Sequence, residues 1–183
     1  NFFLAVGFVK PHLPFTAPKK YWDLYEMDSI QLPKHSTFPT TAPAIAKHSW
    51  GELRHYKDIP KKGPIPEQLA KTLIHAYFAS VSFVDAQIGR IINALDDLEL
   101  RDNTIVVLVG DHGWSLSEHG LWAKHSNFEV ALQVPLIISD PEFSKNKITN
   151  SIAELVDLYP TLCDLTKGEK PLHLQGTSLI NSL

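Results

Sequence analysis

Thr104-Ile-Val-Val-Leu-Val-Gly-Asp-His-Gly113 is the stretch on which the fold class turns. Its β-branched run reads as a buried strand and stops at a glycine. A carboxylate and an imidazole, Asp111 and His112, then follow side by side. In open α/β sheets ligands collect beyond the carboxyl ends of strands, and flanking glycines let both side chains turn into one crevice. Asp offers a hard oxygen and His a nitrogen, so the pair is a candidate metal site open to Ca²⁺, Mg²⁺, Mn²⁺ or Zn²⁺. The plainer reading makes Asp111 a cap for the next turn and His112 a surface residue.

Outward from this strand the pattern alternates. Before it, Pro66 suits a helix start, and Leu69, Leu73, Tyr77, Val81, Val84, Ile88, Ile91, Leu95 and Leu98 recur three and four apart. After it, Val134-Pro-Leu-Ile-Ile-Ser139 reads as another strand. Ser151 to Thr166 reads as an amphipathic helix with Ile152, Leu155, Val156, Tyr159 and Leu162 on one side; Pro160 kinks it or resets its start, and Gly168 suits its end. At the front, Phe2-Phe-Leu-Ala-Val-Gly-Phe8 reads as a fully buried strand, and a short helix is expected over Lys19 to Tyr25. Glu26 to Lys62 is Pro-rich and aperiodic, an excursion suited to pocket walls. The alternation predicts an α/β three-layer sandwich with a mostly parallel central sheet.

Composition narrows the function. The chain has 183 residues, a formal net charge of −3 and no Lys/Arg run longer than two, which argues against a nucleic-acid partner. No apolar run approaches the ~18 residues of a membrane span. Cys163, the one cysteine, forms no disulfide within the segment and has the apolar neighbours of an inert core thiol. The chain opens on Asn1, already inside an apolar run, as expected of a piece cut from a longer polypeptide.

Several further residues carry chemistry. Lys124, in Leu121-Trp-Ala-Lys-His125, supplies a compact ammonium suited to an oxygen of phosphate or sulfate, or else snorkels over apolar surface. His12, in Lys10-Pro-His-Leu-Pro14, follows the first apolar run with its backbone restrained by two prolines. An imidazole there is suited to protonating a leaving alkoxide; the bland reading is a hydrogen-bonded turn histidine. Lys10 has the same two readings, with solvent exposure the stronger. Glu118 and His119 either line a pocket or hold their own loop by hydrogen bonds, the latter preferred. Trp114 offers a face for a sugar ring or a buried anchor.

These residues stand in longer motifs: Phe2-Phe-Leu-Ala-Val-Gly-Phe-Val-Lys-Pro-His-Leu-Pro-Phe15, Tyr77-Phe-Ala-Ser-Val-Ser-Phe-Val-Asp-Ala-Gln-Ile-Gly-Arg90, Gly110-Asp-His-Gly-Trp-Ser-Leu-Ser-Glu-His-Gly-Leu-Trp-Ala-Lys124, Val134-Pro-Leu-Ile-Ile138, Glu154-Leu-Val-Asp-Leu-Tyr-Pro-Thr-Leu162 and Gly176-Thr-Ser-Leu179. Together they resemble the sulfatase branch of the alkaline phosphatase superfamily, most closely its iduronate-2-sulfatase-like members and their bacterial relatives. The resemblance implies the alkaline phosphatase-like sandwich, with residues 1–183 as the later part of the catalytic domain. It implies that Asp111 and His112 ligate a divalent cation, Ca²⁺ in this family, that Lys124 holds the sulfate, and that His12 assists the leaving group. With weaker warrant it puts Trp114, Glu118, His119 and Lys10 near the substrate. The formylglycine that such enzymes make from a Cys-x-Pro-Ser-Arg motif is expected upstream, because Cys163 is followed by Asp-Leu-Thr. The implied substrate is a sulfated saccharide, and the implied setting secreted, periplasmic or lysosomal. The alternatives are a phosphonate or phosphodiester hydrolase of the same superfamily and a non-catalytic homologue that binds sulfated glycans. The remainder of the same polypeptide is the expected partner, and the segment alone is expected to be inactive.

Overall fold

The computed structural model describes residues 2–143 and 147–183. It separates into two compact units, Asn1–Asn93 with His112–Gln133 and Ala94–Asp111 with Val134–Leu183.

The first unit contains the short helices α1 (Lys19–Trp22), α2 (Gly51–Arg54) and α4 (Glu129–Leu132), and most of the long α3 (Glu67–Asp97). Helix α3 begins where Pro66 predicts, and the Ala70 N–H donates to the Pro66 carbonyl at 2.9 Å. Its buried face is narrower than the periodic stripe. Ala70, Ile74, Ala76 and Ala79 are buried, whereas Leu69, Leu73 and Tyr77 are only partly covered and Val81 is exposed. Ala70, Ile74 and Ala76 belong to the core cluster. Ser80, fully buried, is tolerated there because its hydroxyl donates to the Ala76 carbonyl at 2.8 Å.

The aperiodic excursion joins this unit through its apolar members. Ile30, Trp50, Leu53 and Ile59 enter the same cluster as Leu13, Phe15, Trp114 and Leu121-Trp-Ala123. Trp50 adopts a left-handed φ of 40° just before α2. Arg54, at the end of that helix, lies 3.3 Å over the Trp50 ring and donates to the Pro60 and Gly63 carbonyls at 2.5 and 2.6 Å. A cation stacked on indole with two backbone acceptors ties residues 50–63 into one rigid turn.

The second unit holds the two described strands, β1 (Val106–Val109) and β2 (Leu136–Ser139). They pair antiparallel with Val106 opposite Ser139 and Val109 opposite Leu136. Helix α5 (Leu158–Leu165) follows a three-residue turn, Leu155–Asp157, whose start is capped reciprocally by Glu154 and Asp157. Buried Asp157 also accepts the Thr177 N–H at 2.7 Å, and Thr161 accepts the Leu179 N–H at 2.9 Å, so the C-terminal Gly176–Leu179 stretch is fastened to α5.

Several expectations are corrected here. Residues 2–8 form no strand, and their apolar side chains are exposed, Phe3 at 87%. An apolar run signals a demand for burial but does not supply the neighbouring strand that meets it. The two described strands pair antiparallel, and no parallel pairing occurs among the described residues. The last helix is shorter than Ser151 to Thr166, because the Glu154–Asp157 cap resets its start and puts Pro160 in its first turn. Of its expected apolar side, Ile152, Leu155, Val156 and Tyr159 are exposed and Leu162 is half-buried, while Pro160, Thr161 and Leu165 are buried. Lys167, not Gly168, takes the left-handed position after it.

Gly110 and Gly113 are glycines for a different reason than a sharp turn, since neither has a positive φ. A Cβ on Gly113 would sit 2.1 Å from the Val130 carbonyl oxygen, where the Gly113 N–H donates to Ala131 O at 2.8 Å. Only a bare α-carbon fits against that backbone. Gly113→Ala should therefore lower the free energy of unfolding by at least ~1–3 kcal/mol, a typical overpacking penalty. Gly89→Ala, inside α3 with open space around its α-carbon, should raise it by ~0.5–1 kcal/mol. Denaturant unfolding of both variants checks the contrast, and equal midpoints would refute it.

Candidate active site

The first unit brings His12 and Lys124 together from opposite ends of its sequence. Their Nε2 and Nζ atoms lie 2.9 Å apart. Each is carried by a buried neighbour: Leu13 beside His12 and Ala123 beside Lys124 both belong to the core cluster. The Lys10–Pro11 and Leu13–Pro14 bonds are cis, and the His12 N–H donates to Val9 O at 2.9 Å. The ring is oriented by its Nδ1–H, which donates to the Leu13 carbonyl at 2.9 Å. In the neutral ring the lone pair therefore lies on Nε2 and accepts from the Lys124 ammonium.

A third residue completes the cluster. Glu52, on α2, places Oε1 3.1 Å from His12 Nε2 and Oε2 3.6 Å from Lys124 Nζ. It is held there by its buried neighbour Leu53, 1% exposed. Sequence reasoning missed Glu52, since it stands in the aperiodic excursion with no motif to mark it. The side chains of His12 and Glu52 are 38% and 37% exposed and that of Lys124 only 16%. Opposite charges 4 Å apart are worth ~1 kcal/mol in water and ~4 kcal/mol near a protein surface. Exposure of this degree puts these pairs toward the lower end.

Trp114 forms the apolar wall of the cluster. It is 6% exposed, its ring centroid lies 6.4 Å from that of His12, and Lys124 Nζ stands 5.6 Å from the ring. Phe15 packs edge-on against it at 6.0 Å and against Tyr77 at 5.4 Å. Burial, with the Glu118 charge as a lesser cause, pushes the Tyr77 phenol above its ordinary pKa.

Of the other candidate residues, Lys10 and Glu118 are engaged within their own loops, and His119 meets residues of other segments. Lys10 Nζ donates to the His12 and Pro14 carbonyls, bracing the turn that presents the His12 ring. Burial pushes this ammonium below the usual lysine range. Glu118 accepts the Leu116 N–H at 2.5 Å. His119 stacks on Phe128 with ring centroids 4.1 Å apart, and its backbone N–H donates to His35 O at 2.6 Å.

Asp111 and His112 are both exposed, and they are the last residue of one run and the first of the next. The His112 Nδ1–H donates to the Gly113 carbonyl at 2.8 Å. That tautomer leaves the neutral ring's lone pair on Nε2, the arrangement a metal-ligating histidine needs. Among the described residues no group of three or more His, Cys, Asp or Glu side chains gathers in metal-holding geometry. An oxygen and a nitrogen donor side by side are ligand types that divalent cations take.

Known proteins resemble this chain in sequence and in backbone. A family model described as Sulfatase matches residues 1–168. Iduronate 2-sulfatase of Mus musculus is 38% identical over 90% of this chain and 35% of its own length. The chain thus spans about a third of the curated relatives it matches, 35% and 36% of the mouse and human proteins. Among solved structures, a phosphonate monoester hydrolase from Silicibacter pomeroyi superposes with a TM-score of 0.77 at 29% identity, covering 94% of this chain and 35% of that one. Another, solved with its substrate D-glucosamine-2-N,6-O-disulfate, gives a TM-score of 0.60 at 34% identity over 73% of this chain and 27% of that one. Matched along nearly its whole length in sequence and in backbone, the chain belongs to the sulfatase family.

Proposed function

We propose that the protein containing this chain hydrolyses sulfate esters of saccharides, with His12 and Lys124 acting on the sulfate. The observation that carries the reading is the meeting of an imidazole and an ammonium 2.9 Å apart over a tryptophan face, in a chain of the sulfatase family. Lys124 neutralises charge on a peripheral sulfuryl oxygen, and its low exposure strengthens that interaction. His12 gives a proton to the bridging oxygen as the sugar alcohol departs. The indole of Trp114 supplies apolar surface beneath the two groups and keeps water from one side of them.

Asp111 and His112 would hold a divalent cation, Ca²⁺ by family likeness, as two of its ligands. The cation would polarise the sulfuryl oxygens, and a formylglycine contributed from upstream would provide the attacking oxygen. In the whole protein the β1–β2 pair would belong to the mostly parallel sheet of a three-layer sandwich. A uronate sulfated at its 2-position is the substrate that the iduronate 2-sulfatase relatives favour. Family membership supports a secreted, periplasmic or lysosomal setting; among the described residues no helix is long and apolar enough to cross a membrane. The phosphonate hydrolase neighbour favours a second reading, in which the same cluster serves a phosphonate or phosphate ester.

In the full-length enzyme Lys124→Ala should slow every sulfate ester by roughly 10²–10³-fold, the loss expected for one electrostatic stabiliser. His12→Ala should act selectively. A sugar alkoxide needs a proton to leave, whereas nitrophenolate leaves unaided, so the sugar sulfate should suffer far more. The ratio of kcat/KM on the two substrates is the measurement, and equal losses would make His12 a mere spacer. Preference for a phosphonate ester over both sulfates would favour the second reading.

Asp111→Asn and His112→Ala should each weaken Ca²⁺ binding by at least ~10–100-fold, since even outer partners of metal ligands contribute that much. Calorimetric titration of Ca²⁺ into the full-length protein reads this without any turnover. Unchanged affinity in both variants would remove them from the cation site.

A further inference from the structure

We infer that Glu52 is a positioning residue for the His12–Lys124 pair, its carboxylate supplying the counter-charge that lets a protonated His12 stand beside the Lys124 ammonium. The inference rests on the sulfatase reading of this site.

The geometry poses a problem that a third group must solve. With Nδ1–H committed to the Leu13 carbonyl, the neutral ring meets Lys124 through the Nε2 lone pair. That form has no proton on Nε2 to give. The acid form carries one there, which removes the acceptor and leaves two cations facing each other across 2.9 Å. Like charges so close push one partner away or strip its proton.

Glu52 answers both partners at once. Oε1, 3.1 Å from Nε2, accepts the acidic Nε2–H, and Oε2, 3.6 Å from Nζ, balances the ammonium. As the ester cleaves, the Nε2 proton passes to the bridging oxygen, which keeps the electron pair of its bond to sulfur, while the sulfuryl group goes to an oxygen nucleophile. His12 is then neutral and again accepts from Lys124.

The placement of Glu52 is built into the fold. Leu53 is buried beside it, and Arg54 fastens the end of α2 to Trp50, Pro60 and Gly63. A surface glutamate meeting cations by chance would lack such an anchored backbone.

The test uses the full-length enzyme, a sulfated sugar and nitrophenyl sulfate, with Glu52→Gln and Glu52→Asp. Glu52→Gln should lower kcat on the sugar sulfate by ~10-fold or more, part of the 10²–10⁴ that general acids contribute. Its KM should stay within about two-fold, since groups that act only on leaving-group departure add little to ground-state binding. Nitrophenyl sulfate, which needs no proton, should lose several-fold less than the sugar sulfate, and its remaining rate reports that the variant is folded. Glu52→Asp, which keeps the charge, should recover most of the sugar-sulfate rate. Equal losses on both substrates, no loss on either, or a lower KM with an undiminished kcat would each overturn the inference. The last would mean that the carboxylate only occupies the place of the substrate anion. Absence of sulfate-ester hydrolysis by the wild-type protein would overturn the sulfatase reading and the role of Glu52 with it.

Discussion

The site depends on a set of apolar side chains that do no chemistry. Leu13, Leu53 and Ala123 are 6%, 1% and 3% exposed and share one cluster with Trp114. Each of the first three is bonded through the backbone to a member of the polar triad. Removing such a side chain from water is worth ~1.5–3 kcal/mol for a leucine, whereas an exposed ion pair contributes ~0–1 kcal/mol. The hydrophobic contacts therefore bring three remote segments together, and the charges inherit their separation.

Much of the organisation can be read from the chain because it is local. Helix α3 is 31 residues of sustained period with a proline at its threshold, a pattern that tertiary contacts do not erase. The two strands coincide with the β-branched runs before Gly110 and after Pro135. Pairing direction is a different matter, because it depends on which strand lies alongside. Residues 2–8 make the point, as apolar as any strand and yet without a hydrogen-bonded neighbour among the described residues. Glycine misled in a subtler way. The role of Gly113 is set by the Val130 carbonyl, a neighbour that no window around the Asp111–His112 pair reveals.

The site was half legible for the same reason. Asp111 and His112 stand out only as candidates, by following a strand, whereas motif likeness linked His12 with Lys124 across more than a hundred residues. Glu52 had neither aid. It lies in an excursion whose order comes from scattered anchors such as Ile30, Trp50 and Ile59, and no periodicity records them. Lys10 and Glu118 show the converse, charged groups near the site that are used to shape loops. A formal charge in a motif does not say whether a ligand or a carbonyl will receive it.

The anchoring of that excursion is uneven, and this bears on how the chain can diversify. Residues 50–63 are clamped by Arg54, and His35 is hydrogen-bonded to the backbone of His119. Between these two fixed points, Thr40 to Lys47 is largely exposed, with Ile45 at 93%. Doubling the length of a flexible loop costs only ~0.6 kcal/mol in closure entropy. Insertions and deletions here can be accommodated while the triad keeps its spacing. Loop length is thereby free to drift without disturbing the triad, a modularity that point substitutions in the core would not allow.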